Sequence, residues 1–231
     1  MSGAARVRQY LFTAGLDELA DHIPVIEKSI HDFIAQLATP MEVSNHSLYR
    51  YEVPLMSEDG TCALIDEMNP VAYDLARILG GENEATTRKL KLLNILVMRA
   101  TMVTGADWIG VYQRRRQSSG NEVLVKLAYR GRPSRAEFPL NVEFAAHSTN
   151  STVALSGQAK SIDDVSAFVA EGGGFYVCDD AVQSELCVPL VDAEGAVIGI
   201  IDAEASPKAF FNADRQAAII AMALVAPALL P

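Results

Sequence analysis

The chain has 231 residues, 50 % of them apolar and 21 % charged, with a formal charge of −10. That length suits one large domain, or one domain with an appendage. The acidic balance excludes nucleic acid or an anionic membrane as the main partner, since both require clustered basic residues.

Residues 1 to about 40 read as helical, because Leu16, Leu19, Ile23, Ile26, Ile30, Phe33, Ile34 and Leu37 recur at three- and four-residue steps. Pro24 either opens a second helix there or kinks a single one, and Thr39-Pro40 ends the run. The stripe is expected to serve as a packing or homodimer face. Residues 41 to 68 read as irregular, with one short strand from Tyr49 to Val53. Asn69-Pro70 is expected to open a short helix that Gly80-Gly81 closes. A stronger helix follows, with Leu92, Leu96, Ala100 and Val103 on one face, Leu93 and Val97 widening it, and Gly105 as its stop.

The period then changes to that of strands. Trp108 to Tyr112 and Val123 to Tyr129 form a hairpin whose loop, Gln113 to Asn121, carries Arg114-Arg115-Arg116 as a solvated tip. Glu137 to Leu140 reads as a third strand, and Asn150 to Leu155 as a short helix ended by Gly157. Leu186 to Val191 and Ala196 to Ile201 form a second hairpin around Asp192-Ala193-Glu194-Gly195. Asn212 caps a final helix whose Ala217, Ile220 and Leu224 face inward. The fold class is α+β, an antiparallel sheet of about six strands flanked by helices. The domain reading is a helical N-terminal extension, 1–84, followed by a sheet domain, 85–231.

The apolar tail from Ala217 is shorter than the ~20 residues that span a bilayer, and Pro227 interrupts it, so a buried helix is expected. No signal peptide is read, and Cys62, Cys178 and Cys187 are too few and too irregular for a disulfide framework. The expected compartment is therefore the reducing cytoplasm. The sequons at Asn45 and Asn150 then carry no glycan. His22, His31, His46 and His147 lack metal-ligand spacing, so no metal is expected, and no phosphate-binding glycine pattern occurs.

Chemistry concentrates between Cys178 and Leu190. Cys178 follows Gly172-Gly173-Gly174, a run expected to be mobile, and is either an accessible nucleophile or an inert loop thiol. By charge alone Asp179 and Asp180 hold its pKa up, so activation needs a helix N-terminus or a cation. Cys187, between Leu186 and Val188, reads as core, and Cys62 is open either way. Glu185, Asp202 and Glu204 are acids among apolar strand residues. If Ile201 and Ala203 face one side, Asp202 and Glu204 share the other, either as a sheet edge in solvent or as a pocket for a cationic amine. Trp108 reads as pocket wall or as plain core aromatic.

Several of these motifs together resemble the GAF domain, and more narrowly the free methionine-(R)-sulfoxide reductases built on it, over residues 90 to 229. They are Trp108 and Tyr112, Asp164-Val165 with Phe168, Cys178-Asp179 with Ser184-Glu185, Ile201-Asp202-Ala203-Glu204-Ala205-Ser206-Pro207, and Phe210-Phe211-Asn212. The resemblance implies Cys178 as the nucleophile on the sulfoxide sulfur and Glu185 as its acidic partner. It implies Trp108, Tyr112, Asp179, Glu185, Asp202 and Glu204 as substrate contacts, with no bound cofactor and an external thiol reductant of the thioredoxin or glutathione type. The partner is then a small molecule, free methionine sulfoxide or a related amino acid. Three departures matter. The family's resolving cysteines fall near Arg135 and Asn150, where this chain has none; the loop from Phe168 to Cys178 is a few residues longer than in the family; and an aspartate of the closing strand has become Glu204. Clearing a sulfenic acid then falls to Cys187, Cys62 or an external thiol. Two functions follow as expectations: a thiol-dependent reductase of the free R sulfoxide, or a GAF sensor that kept the pocket and lost turnover. A hydrolase pairing Cys178 with His147 ranks behind both.

Overall fold

The computed structural model describes residues 3–38, 44–56, 67–176 and 179–231. Along the chain lie α1 (Gly3–Ala14), a 3₁₀ turn (Asp17–His22), α2 (Ile23–Leu37), α3 (Asn45–Tyr49), β1 (Arg50–Tyr51), β2 (Tyr73–Asp74), α4 (Leu75–Leu79) and α5 (Glu84–Thr104). They are followed by β3 (Trp108–Arg116), β4 (Glu122–Arg130), β5 (Glu137–Pro139), α6 (Val142–Ala145) and α7 (Thr149–Ser156). The last are β6 (Lys160–Ile162), α8 (Val165–Ala170), β7 (Ser184–Val191), β8 (Val197–Ala205), α9 (Ala213–Val225) and a closing 3₁₀ turn (Ala226–Leu229).

The main sheet has six strands in the order β5-β4-β3-β8-β7-β6, every neighbouring pair antiparallel. The two β-rich hairpins thus meet at β3 and β8, which form its centre. Because strand side chains alternate between faces, Ile109, Val111, Val125, Leu186, Val188 and Ile201 share one side, and they fall in one buried apolar cluster with α2, α5 and α9. Trp108, Tyr112, Leu124, Cys187 and Ile200 form a second cluster with Phe138 and Val153. The α+β sandwich expected from the sequence is therefore present, with one face of its sheet under helices and the other around a cavity.

The first helices pack onto the C-terminal one. Tyr10 on α1 donates its hydroxyl to the Pro189 carbonyl at 2.8 Å, and Arg6 reaches the Leu224 carbonyl at 2.7 Å. Pro24 stands in the first turn of α2, so of the two readings offered by its position the structure takes the second helix. Ile34 of the apolar stripe is 54 % exposed, because Phe33 beside it takes the core position.

Four local expectations are corrected. The helix expected from Asn69 begins at Leu75, where the Asp74 carboxylate caps the Ala76 N–H. Asn69 spends its side chain on a turn instead, accepting from Val71 N at 2.9 Å. The buried face of α5 runs through Leu90, Leu93, Leu96, Val97 and Ala100, and leaves Val103 60 % exposed. Arg114 to Arg116 lie inside β3 and not at a loop tip, with Arg114 paired to Glu122 at 2.5 Å across the hairpin and Arg115 on the Pro231 carbonyl at 2.7 Å. The short strand expected over Tyr49 to Val53 shrinks to β1, with α3 ahead of it. Thr39-Pro40 and Cys62 lie outside the described residues. None of the described helices is long and apolar enough to cross a membrane.

Candidate active site

On the face turned away from α2, α5 and α9, the register puts acids side by side. Glu185 pairs with Glu204, and Cys187 with Asp202, across β7 and β8. Trp108 and Gly110 on β3 lie against Glu204 and Asp202 on the other side. Gly110 has a steric reason: a Cβ there would run into the Trp108 ring, so the missing side chain lets the indole lie along the sheet. The indole Nε1 donates to the Arg132 carbonyl at 3.1 Å, and Tyr112 donates to the Arg135 carbonyl at 3.3 Å. The β4–β5 connection thereby holds both rings.

These groups line a tight cavity, with about 20 Å³ of free space, together with Phe138, Phe175 and Tyr176, with Ser148 and with the first residues of α7, Thr149 and Asn150. Tyr176 is held over it by Arg135, whose guanidinium donates to the Tyr176 hydroxyl at 2.9 Å and lies 4.7 Å from the Phe144 ring centre. Behind Ser134, Lys126 is fully buried. Its ammonium donates to the Ser134 carbonyl and hydroxyl at 2.7 and 2.8 Å and sits 4.1 Å over the Tyr129 ring. Tyr51 from β1 closes over the same lysine and donates to its carbonyl at 2.7 Å.

The electrostatics of the floor are set by burial. Glu185 and Asp202 are each only 3 % exposed. Burial first, then the charges of Asp202 and Glu204, hold the Glu185 carboxyl well above its ordinary range. Burial pushes Asp202 up to about 7, even though hydrogen bonds from Asn150 and Glu185 pull the other way. The two acids titrate as a coupled pair in which burial favours the protonated forms. Glu185 Oε2 and Asp202 Oδ1 are buried without a hydrogen-bond partner among the described residues. Asn150 organises the rest, donating from Nδ2 to Asp202 Oδ2 at 3.1 Å and accepting on Oδ1 from the Cys187 thiol at 3.4 Å. Cys187 itself is fully buried, and burial followed by Asp202 raises its thiol well above the usual value.

Of the residues singled out in the sequence, Trp108, Tyr112, Glu185, Asp202 and Glu204 converge on this cavity. Asp179 does not line it. It sits in an adjoining outer chamber that shares Trp108, Ser134 and Glu204 with the inner one, paired with Arg132 at 3.3 Å. Cys178 lies outside the described residues. The glycine run ahead of it serves close packing, since a Cβ on Gly173 would strike the Phe168 ring and one on Gly174 the Ala146 carbonyl. Asn150, Phe138, Tyr176 and the pocket-side position of Cys187 were not read from the sequence. For Cys187 the signal was there, because it stands two residues after Glu185 and so shares its face.

Solved structures with the same arrangement of elements include a type II free methionine-R-sulfoxide reductase from Thermoplasma acidophilum. It is 22 % identical, with a TM-score of 0.53 over 63 % of this chain and 95 % of that one. A solved GAF domain is 17 % identical, with a TM-score of 0.50 over 67 % and 82 %. At such identities the likeness is one of fold. A search of curated proteins finds no match. The family model for the GAF domain matches residues 90–229, from α5 to the end of the last helical turn, and on that match the chain belongs to the GAF domain family.

Proposed function

We propose that the protein reduces free L-methionine-(R)-sulfoxide with thiols, binding the amino acid in the cavity between Trp108 and the acids of β7 and β8. The observation that carries this reading is the pair of buried carboxylate oxygens on Glu185 and Asp202 that have no hydrogen-bond partner among the described residues, opposite an aromatic wall. An unsatisfied buried carboxylate is costly, and an ammonium group is the ligand chemistry that offsets the cost. The first turn of α7 supplies the positive end of a helix dipole to the same cavity, where a carboxylate suits it. A zwitterion with a soft, short side chain against Trp108 and Tyr112 satisfies all three surfaces.

In the chemistry proposed, the Cys178 sulfur attacks the sulfoxide sulfur while the oxygen takes a proton and departs with the cysteine. Methionine and a cysteine sulfenic acid are the products. A sulfoxide oxygen is a poor leaving group until protonated, and Glu185, whose burial beside Asp202 favours its neutral form, is the acid for that step. A second thiol condenses with the sulfenic acid, releasing water, and an external dithiol of the thioredoxin type or glutathione regenerates the enzyme. The test is consumption of the R epimer with dithiothreitol as reductant. Wild-type protein is expected to turn over R and spare S, and Cys178→Ser to lose the activity; equal rates for the two proteins overturn the reading.

One observation favours a second reading, a ligand-binding GAF module without turnover. The position near which the resemblance expects a resolving cysteine is Asn150, and its amide is already committed to Asp202 and Cys187. Calorimetric titration with methionine and both sulfoxide epimers separates the two, since the module binds without consuming.

A further inference from the structure

The floor of the cavity presents a donor set that no single element carries. Glu185 and Cys187 project from the same face of β7, and Asp202 stands opposite Cys187 on β8. One carboxylate oxygen from each acid and the Cys187 sulfur all lie within 4.8 Å of one another, and all three residues are buried. Around a tetrahedral Zn²⁺, bonds of ~2.3 Å to sulfur and ~2.0–2.2 Å to carboxylate oxygen put the donors roughly 3.3–3.7 Å apart. Closing these donors on one ion therefore takes side-chain shifts of up to about an ångström. Independently of the cluster's spacing, Glu185 Oε2 and Asp202 Oδ1 are buried with no hydrogen-bond partner among the described residues.

We propose that Glu185, Cys187 and Asp202 form a site for one divalent ion of the Zn²⁺ class. The thiolate sets the class, because a soft sulfur beside two carboxylates suits Zn²⁺ and disfavours Mg²⁺ and Ca²⁺, which take oxygen donors. Asn150 is the orienting group. Its Nδ2 already fixes one oxygen of Asp202, and its Oδ1 loses the thiol donor once Cys187 ionises, leaving that oxygen for a fourth bond. Thiolate and carboxylate are the forms that bind the ion, so it enters with release of any protons they carry. Ion and amine compete, because both take the same two carboxylates. The site stands whether or not the amino-acid reading above is right.

The test uses the full reduced chain stripped with a chelator and titrated with Co²⁺, whose sulfur-to-cobalt charge-transfer absorbance reports thiolate ligation. Expected is saturation near one equivalent, bleaching of the absorbance by Zn²⁺, and its survival in a Cys62→Ser/Cys178→Ser double variant. Cys187→Ser is expected to abolish the absorbance, and Asp202→Asn to weaken Co²⁺ by about tenfold or more. An absent band in wild type, a band that persists in Cys187→Ser, or one lost with the other two cysteines overturns the proposal. If Cys187→Ser does not fold, Asp202→Asn, which keeps the thiol, decides: unchanged Co²⁺ affinity there rejects the site. None of these readouts depends on sulfoxide turnover.

Discussion

The two faces of the central sheet are built on opposite terms. Under α2, α5 and α9 the strands present Val111, Val125, Leu186, Val188 and Ile201, all of them buried among other apolar groups. Around the cavity the same strands present Glu185, Cys187, Asp202 and Lys126, just as inaccessible to water. The first face gains roughly 25 cal/mol for each Å² of apolar surface removed from water. The second gives part of that back by desolvating charge, offset in part by hydrogen bonds such as those from Asn150 to Asp202 and from Lys126 to Ser134. One side thus holds the fold, and the other is held in place by it so that polar groups meet in a dry cavity. Substitutions on the two sides should then move stability in opposite directions.

The largest effect belongs to the helix-covered face. Leu186→Ala, at a fully buried position in the middle of β7, is expected to destabilise by about 2–5 kcal/mol, read as a shift of the denaturant midpoint at constant slope. Across the sheet the sign should reverse. Glu185→Gln keeps the shape of the side chain and replaces an acid whose ionised form is penalised by burial and by the neighbouring Asp202 and Glu204. At pH 8 it is expected to leave stability unchanged or to raise it by about 1–3 kcal/mol, while weakening amino-acid binding by tenfold or more. If Glu185→Gln destabilises as much as Leu186→Ala, the distinction between the faces fails.

The pH dependence sharpens the same point. The carboxyl of Asp202 rises from 3.8 to about 7 on folding, and Glu185 moves the same way. A raised carboxyl pKa means that the folded state binds more protons than the unfolded one between those values. The stability contributed by the protonated acids is thus complete below about pH 4 and is lost as pH climbs through 7. In the ligand-free protein the dyad should contribute a slope of up to about −1.4 kcal/mol per pH unit for each proton over that window. Asp202→Asn should flatten it, as measured by thermal or denaturant unfolding at a series of pH values.

The sequence is most legible where alternation runs long enough to read. The alternation in Ile201-Asp202-Ala203-Glu204 puts two acids on one face, whereas Glu185 joins them only through the pairing of β7 with β8. Cys187 shows the limit of reading by neighbours. Flanked by Leu186 and Val188 it looks like core, and it is fully buried, but its side chain belongs to the opposite face. The donor trio escapes linear spacing rules because Asp202 comes from another strand. The role of Asn150 likewise exists only once α7 docks against β8. Strand β6 and helix α8 were missed because three and six residues carry too few periods to register. The N-terminal part was expected to be helical, and nothing in its pattern announced that Tyr51 would reach across to Lys126.

The smallest expected effect tests whether Asp179 belongs with the acids of the floor. Arg132 and Asp179 meet at 3.3 Å in the outer chamber, the arginine side chain 63 % exposed, and an exposed pair of this kind contributes 0–1 kcal/mol. A double-mutant cycle of Arg132→Ala and Asp179→Asn should therefore return a coupling below about 1 kcal/mol in stability, fading with salt. The informative quantity is ligand affinity. If Asp179 acts only through this pair, the two single variants should weaken binding equally and the double no further. A ligand amine that draws on Asp179 directly would make Asp179→Asn the more damaging of the two. The three acids of the cavity would then need a fourth at its mouth, and the boundary between inner and outer chamber would lie further out than Trp108 and Glu204 now mark it.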